Sequence, residues 1–216
     1  MKTDAQLQQD VMAELRWDPA LHAAQIGVQV LDGVVTLTGE VSSHLEKVDA
    51  EHAAQRVGGM RTLASDMTVK LSAFGRRTDA DIAGSAVHAL AWTEGLPEGA
   101  IQVLVENGWL VLTGSVPWQY QREAAAESVR CLWGVTGVSN QIAIAPPQAG
   151  GVSKAGIEAA LDRRAPSTQH RVQVEVSGGD VTLSGSVRSW ADRDLALHAA
   201  WGSPGVRRVV NHIAIV

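Results

Sequence analysis

Cysteine, tyrosine and phenylalanine are scarce in this sequence. The 216 residues include one cysteine (Cys131), one tyrosine and one phenylalanine, against seven tryptophans. A single thiol excludes an intramolecular disulfide framework and a zinc site built from several cysteines. Because Cys131 lies in a predicted helix with no histidine or acid partner indicated, we expect a buried thiol rather than a nucleophile.

Long apolar runs and excess positive charge are also missing. No stretch approaches the ~18 apolar residues of a membrane-spanning helix, and the polar first ten residues lack the ~7–15-residue apolar run of a signal peptide. As written, the sequence predicts a cytoplasmic protein, or a periplasmic one if an export signal has been removed. The net charge of −5 argues against a basic nucleic-acid-binding domain, so no nucleic acid partner is expected.

What the sequence does contain is a repeat. The segment DGVVTLTGEV at 32–41 returns as NGWLVLTGSV at 107–116 and as GGDVTLSGSV at 178–187. The same offsets also align apolar residues well before and after these segments, which is the mark of tandem structural units. Linkers rich in Gly and Pro separate the copies. We therefore predict three domains, at residues 1–72, 77–146 and 151–216.

Each copy follows one predicted element order, α-β-β-α-β. Leu7, Val11 and Leu15 recur at helical spacing after Asp4, a candidate N-cap, and Ser153 is the candidate cap in the third copy. A strand of period two, a tight hairpin and a second strand follow, with Gly39 as a bulge or close-contact point. Ala-rich second helices are predicted at 43–57, 118–132 and 189–202. The predicted fold class is α+β: three tandem domains, each a small three-stranded mixed sheet packed against two helices.

The hairpin motif, the Ala-rich helix and a closing motif together resemble the BON domain, named for bacterial osmotically inducible and nodulation proteins. The closing motif reads GVTGVSNQIAI at 134–144 and GVRRVVNHIAI at 205–215, and the first copy departs from it at Met60 and Ser65. The resemblance implies the fold above, no catalytic motif, a role in osmotic or other stress, and contact with phospholipid. It also implies export or association with the outer membrane, whereas this sequence shows no export signal.

Catalytic chemistry finds little support in the residues themselves. The seven histidines form no HExxH motif or other ligand spacing, and no phosphate-binding or dinucleotide fingerprint is present. We therefore predict no enzyme, no metal site and no cofactor.

Charge is distributed unevenly among the copies. The net charge is −4 over residues 1–74, −3 over 75–149 and +2 over 150–216. In the α-β-β-α-β order, the end of helix 1 and the start of helix 2 share one end of a domain. In the third copy this end carries the candidate sites for anionic lipid or another polyanion: Arg163, Arg164, Arg171, Arg188, Trp190 and Arg193. The alternative is an ordinary solvated rim offset by acidic neighbours.

Four tryptophans are predicted at equivalent ends of their copies: Trp17, Trp92, Trp118 and Trp190. Trp118, with neighbouring Tyr120, opens a helix and is a candidate partner surface, whereas Trp17 and Trp92 are expected to cap the core. Trp109, Trp133 and Trp201 are expected to make packing or inter-repeat contacts.

The preferred function is a non-catalytic binding module of envelope or stress physiology that contacts anionic phospholipid or an envelope-associated partner. The alternative is a cytoplasmic scaffold that binds protein or itself.

Overall fold

The structure is a computed structural model, and it describes residues 2–146, 151–164 and 172–216. Within these residues each repeat has a helix, a β-hairpin, a second helix and a third strand. The first repeat comprises α1 (Asp4–Trp17), β1 (Ile26–Leu31), β2 (Val34–Val41), α2 (His44–Arg56) and β3 (Thr62–Val69). The second comprises α3 (Asp79–Trp92), β4 (Ile101–Glu106), β5 (Trp109–Val116), α4 (Gln119–Arg130), β6 (Gly137–Asn140) and β7 (Ala143–Ile144). The third comprises α5 (Lys154–Arg164), β8 (Val172–Ser177), β9 (Asp180–Val187), α6 (Trp190–Trp201) and β10 (Arg208–Ile215).

The second strand of each repeat lies in the middle of its sheet. The strand orders are β1-β2-β3, β4-β5-β6 with β7 also paired to β5, and β10-β9-β8. In the third repeat β8 is antiparallel to β9, with Val174 opposite Leu183, whereas β10 is parallel to β9, with Val209 opposite Val181. The second repeat pairs its strands in the same way. The predicted fold class, with three small mixed sheets each accompanied by two helices, is confirmed.

The third strand of the second repeat is interrupted, unlike those of the other two repeats. The Asn140 Oδ1 accepts the Ile142 amide at 3.2 Å, and its Nδ2 donates to the Arg122 carbonyl at 2.8 Å. The bond to Arg122 ties the break between β6 and β7 to α4. The equivalent Asn211 also accepts the amide two residues on, from Ile213, but within the continuous strand β10. Ser65 occupies the equivalent position in the continuous strand β3.

Each core lies between the sheet and the two helices. The middle strand buries alternate residues, as a half-buried strand must, and the first helix buries residues three or four apart. The second helix contributes small side chains, which let it approach the sheet closely. The buried residues include Leu7, Val35 and Ala53 in the first repeat, Ile82, Leu110 and Ala125 in the second, and Ile157, Leu183 and Ala196 in the third.

The hairpin turns show why Asp, Asn and Gly recur in them. Asp32 and Gly33 have φ values of 51° and 76°, and Asn107 and Gly108 have 52° and 76°. Positive φ at both central residues is the type I′ turn, whose twist matches that of the flanking strands. In the third repeat only the first of the two residues, Gly178, has positive φ, which is the type II′ pattern. The predicted hairpins are confirmed.

Gly39 was predicted to be a bulge or close-contact point, and its equivalents show the reason. Gly39, Gly114 and Gly185 have φ values of 123°, 125° and 122°. A Cβ on Gly114 would collide with the Ala100 carbonyl oxygen. The backbone of the middle strand therefore passes the entry to the first strand so closely that a side chain does not fit.

The helix caps correct one sequence prediction. Thr3, not Asp4, caps α1, because the Gln6 amide donates to its Oγ1 at 3.3 Å and the Gln6 side chain returns a bond to the Thr3 amide. Thr78 caps α3 with Asp81 in the same way. In the third repeat the Ser153 Oγ accepts the Gly156 amide at 3.1 Å, as predicted.

The chain divides into two compact units that do not follow the repeat boundaries. The first unit contains Met1–Thr38, Ala50–Asp66 and Pro146–Val216, and the second contains Gly39–Asp49 and Met67–Ala145. The first unit therefore joins most of the first repeat to the third, and the second joins the remainder to the second repeat. In the described ranges no helix has both the length and the apolar character needed to span a bilayer.

Candidate interaction surfaces

Each repeat has two opposite ends with different chemistry. We call the first the hairpin pole: the hairpin turn, the start of the first helix, the end of the second helix and the start of the third strand. We call the opposite end the helix pole: the end of the first helix, the end of the middle and third strands and the start of the second helix. The third strand is tied to the turn in every repeat, since the amides of Arg61, Thr136 and Arg207 donate to the carbonyls of Gly33, Gly108 and Gly179 at 2.8–2.9 Å.

An aspartate at the first position of the first helix binds the hairpin turn in two repeats. The Asp4 carboxylate accepts the amides of Asp32 and Gly33 at 2.8 and 3.0 Å. The Asp79 carboxylate accepts those of Asn107 and Gly108 at 2.8 and 2.9 Å. In the third repeat the corresponding residue is Lys154, which has no acceptor to offer. Sequence reasoning missed this contact, although the recurrence of Asp at the same position in two copies was a usable signal.

The helix pole of the third repeat carries the predicted basic site. Arg163 and Arg188 are exposed. The Arg193 guanidinium lies over the Trp190 ring, 3.7 Å from its centroid, and its Nη2 is 3.4 Å from the Asp194 Oδ1. The Arg193 side chain is only 22% exposed. Arg164 is the last residue of α5, but its side chain lies outside the described part of the chain, as does the whole of Arg171.

Trp190 joins the third repeat to the first. Its Nε1 donates to the Met60 carbonyl at 3.3 Å, across 130 positions of sequence. Met60 lies at the hairpin pole of the first repeat, between α2 and β3. Beside it is a groove of about 850 Å³, lined by Ile215 and Val216 from the third repeat and by Lys2, Asp4, Leu7, Asp32, Gly33, Gly59, Met60 and Arg61 from the first. Trp190, on which Arg193 stacks, therefore takes part in a contact inside the first unit, which sequence spacing did not reveal.

The helix pole of the second repeat presents aromatic and acidic side chains. Trp92 is 88% exposed and Tyr120 is 60% exposed, while Trp118 is half-buried. Glu94 and Glu98 are exposed in the loop after α3. The Gln121 side chain donates to the Gly95 carbonyl at 2.5 Å, which fastens this loop to the start of α4. A groove of about 610 Å³ beside the loop is lined by Val87, Leu90, Ala91, Leu96, Pro97, Glu98, Gly99 and Ile101.

Comparison with known families identifies the repeats. The BON domain matches the chain three times, at residues 3–70, 78–146 and 153–216. The chain belongs to the BON domain family. The resemblance predicted from the hairpin and closing motifs, with three tandem copies, is confirmed.

Solved structures give weaker comparisons. A structure of CdsD, described as a structural protein of the type III secretion system of Chlamydia trachomatis, is 13% identical with a TM-score of 0.25, covering 96% of this chain and 91% of that one. Its C-terminal domain, solved separately, is 14% identical with a TM-score of 0.26 and complete coverage of both chains. With TM-scores this low, neither structure supports a shared arrangement or function. No curated protein gives a significant match.

The tryptophans of the BON repeats depart from several predictions. Trp17 and Trp92 do not cap the core: Trp17 is 84% exposed, and Trp92 is similarly open. Both lie two residues beyond the last buried residue of their helix, Leu15 or Leu90. Two residues turn an α-helix through about 200°, which places the indole on the opposite face. The prediction that Trp17 and Trp92 cap the core is wrong.

The three tryptophans that were expected to pack differ in what they contact. Trp201 packs against the core of the third repeat, as predicted. Trp109 is half exposed and lies over Gly137, its partner in the parallel pair, where a Cβ would meet the ring. Trp133 is 63% exposed, with the Arg77 guanidinium 5.5 Å from its ring centroid. These last two are surface stacking contacts rather than core packing.

Cys131 is exposed, so the prediction of a buried thiol is wrong. Helix α4 ends at Arg130, and Cys131 is its C-cap. The buried stripe of the helix runs through Ala125 and Val129, and Cys131 lies two residues past it.

The described residues hold no cluster of three or more His, Cys, Asp or Glu side chains able to bind a metal ion.

Proposed function

We propose that this BON-domain chain is a non-catalytic binding module of envelope or stress physiology, and that it contacts anionic phospholipid through the third repeat. The observation that carries the proposal is the exposure of Arg163 and Arg188 on the one repeat whose net charge is positive. A guanidinium forks onto two phosphate oxygens at once, which suits it to headgroups. The phospholipid contact implied by the family resemblance supports the same reading.

The contacts of Trp190 and Arg193 bear on which residues we propose for the membrane. Trp190 donates to Met60, and Arg193 stacks on Trp190 at 22% exposure. Neither side chain is placed to enter a headgroup layer without breaking the contact between the first and third repeats. Arg163 and Arg188 are therefore the proposed headgroup ligands, with Arg164 and Arg171 retained as candidates from the sequence.

Vesicle co-sedimentation tests this proposal. Wild type is expected to bind phosphatidylglycerol-containing vesicles but not neutral ones, and to release them as salt rises, since the attraction is screened. Arg163→Ala/Arg188→Ala is expected to weaken binding by roughly tenfold or more, because each basic group near an anionic surface contributes about 1 kcal/mol. Arg16→Ala/Arg76→Ala is the matched control, since both residues are exposed outside the third repeat and the double substitution removes the same charge. If the two variants lose vesicle binding equally, net charge alone accounts for the binding, which would contradict the proposal.

A protein-binding scaffold is the second candidate function, favoured by the helix pole of the second repeat. Trp92 and Tyr120 present rigid aromatic area, which is enriched in the centres of protein interfaces. The adjacent glutamates, Glu94 and Glu98, oppose binding to an anionic membrane. This surface is therefore proposed for a protein partner rather than for lipid.

The compartment bears on both candidates. We propose a cytoplasmic location for a scaffold and a periplasmic one for an envelope module. Fractionation of the native cell, with immunodetection of the protein in cytoplasmic, periplasmic and membrane fractions, distinguishes them. Recovery in the membrane fraction that is lost in high salt would favour the lipid proposal.

A further inference from the structure

The contact between the third and first repeats joins two different surfaces of the same fold. The helix pole of the third repeat, through Trp190, Ile215 and Val216, lies against the hairpin pole of the first repeat around Met60. Such a contact is heterologous, or head-to-tail. Each of the two repeats uses only one of its poles in this contact, so a contact of the same kind can form again at another pole.

Two other poles take no part in this contact: the helix pole of the second repeat and the hairpin pole of the third. Both are exposed: Trp92 and Tyr120 on the first, Gly178, Arg207 and Arg208 on the second.

These two remaining poles are complementary in charge. The helix pole of the second repeat carries exposed Glu94 and Glu98, with half-buried Glu123 and Arg122 on α4. The hairpin pole of the third carries exposed Lys154, Arg207 and Arg208. Its acidic groups are Asp180, half-buried opposite Arg208, and Glu158, whose Oε1 is 3.7 Å from the Lys154 Nζ. Lys154 replaces the aspartate that binds the turn in the other repeats, which makes this hairpin pole more basic than theirs.

The two poles also carry an indole and a backbone carbonyl close to the positions that the existing contact uses. Trp190 is the first residue of α6, and Trp118 lies one position earlier at the N-cap of α4. The carbonyl that accepts from Trp190 belongs to Met60, and the equivalent residue of the third repeat is Val206. An indole and its acceptor are thus present on the unused pair of poles, as they are on the used one.

We propose that a second copy of this chain docks on the helix pole of the second repeat, presenting the hairpin pole of its third repeat. The glutamates of one copy face the arginines of the next, and Trp118 occupies the place that Trp190 has in the internal contact. Because the interface is heterologous, each added copy leaves a pole to which another copy can bind, and the product is an open series or a closed ring. The inference names the partner for the scaffold proposal and rests on that surface; it does not involve Arg163 or Arg188.

Sedimentation of the full-length chain tests the proposal. Wild type is expected to show a weight-average mass that rises steadily above the 22.8 kDa of the monomer with concentration and falls again as salt is added. Glu98→Arg and Arg207→Ala/Arg208→Ala each remove the charge complementarity of one of the two poles, so each variant alone is expected to remain monomeric. Glu175→Arg, the same charge change at an exposed site on β8, is the matched control and is expected to behave as wild type.

Mixing the two variants gives the decisive measurement. Glu98→Arg keeps an intact hairpin pole, and Arg207→Ala/Arg208→Ala keeps an intact helix pole. The two substituted poles do not complement each other in charge, so an equimolar mixture can form one contact and no more. The expected product is a dimer of twice the monomer mass that does not grow with concentration. A wild type that stays monomeric throughout, or a mixture that stays monomeric, overturns the proposal. The vesicle experiment depends on other residues, so its outcome separates failure of self-association from failure of lipid binding.

Discussion

At the scale of single residues, the aspartates at the start of α1 and α3 determine how each hairpin is held. In each case one carboxylate accepts two consecutive turn amides. A charged acceptor makes these bonds stronger than bonds between neutral groups. The same side chain lies in the first turn of its helix, where a negative charge meets the positive end of the helix dipole.

Asp79→Ala is therefore expected to destabilise the second repeat. Loss of the two bonds, from the amides of Asn107 and Gly108, costs about 1–2 kcal/mol, because the turn amides are partly exposed and water replaces the carboxylate. Urea unfolding followed by circular dichroism measures the change. Lys154→Ala, at the equivalent position of the third repeat, is the control and is expected to change the free energy of unfolding little. Equal effects of the two substitutions would contradict this role for Asp79.

At the scale of elements, the middle strand of each repeat ends against the backbone of the first. Gly39 and its equivalents, Gly114 and Gly185, keep a φ near 120° in all three copies. A side chain at this position meets both a strained backbone and a carbonyl oxygen. The position is therefore fixed by the geometry of the hairpin rather than by the chemistry of a site.

Gly114→Ala is expected to destabilise the second repeat by about 3 kcal/mol or more, combining backbone strain with the clash against Ala100. Gly84→Ala is the matched control. Gly84 is exposed inside α3 with open space around the added methyl group, so the same substitution is expected to stabilise by about 0.5–1 kcal/mol. Thermal unfolding of the two variants is expected to move in opposite directions. A loss of stability in both would mean that helix α3 does not tolerate alanine for a reason other than space.

The features that the sequence could predict are those set by interactions between residues close together in the chain. The hairpin turns and Gly39 depend on local backbone geometry, and periodicity together with turn residues identifies them. Trp17 and Cys131 were placed wrongly because each lies just past a buried stripe, where an error of one or two residues moves a side chain to the opposite face. The bond between Asp4 and the turn spans 28 residues and the one between Trp190 and Met60 spans 130, and no local pattern encodes them.

At the scale of the whole molecule, the repeats are small enough to depend on one another. A unit of about 65 residues buries only about 60% of the surface that its unfolded chain exposes, so its own core leaves little margin of stability. Contacts between repeats then contribute a large share of the total, as in other tandem arrays. Between the first and third repeats, such a contact is the hydrogen bond from Trp190 to Met60, with Arg193 stacked on the indole.

Trp190→Ala is expected to loosen the first repeat at a distance. Removing the indole deletes the bond to Met60 and leaves the Arg193 guanidinium without its ring, and truncating a tryptophan at an interface commonly costs 1 kcal/mol or more. Amide hydrogen exchange measured by mass spectrometry is expected to rise about tenfold in peptides covering residues 57–62, since about 1.4 kcal/mol corresponds to a factor of ten. Trp17→Ala, which removes an exposed indole from the first repeat itself, is the control and is expected to leave these peptides unchanged. If Trp190→Ala alters exchange only in the third repeat, the two repeats are not coupled through this residue, and Trp190 becomes free to serve the lipid surface proposed for its neighbours.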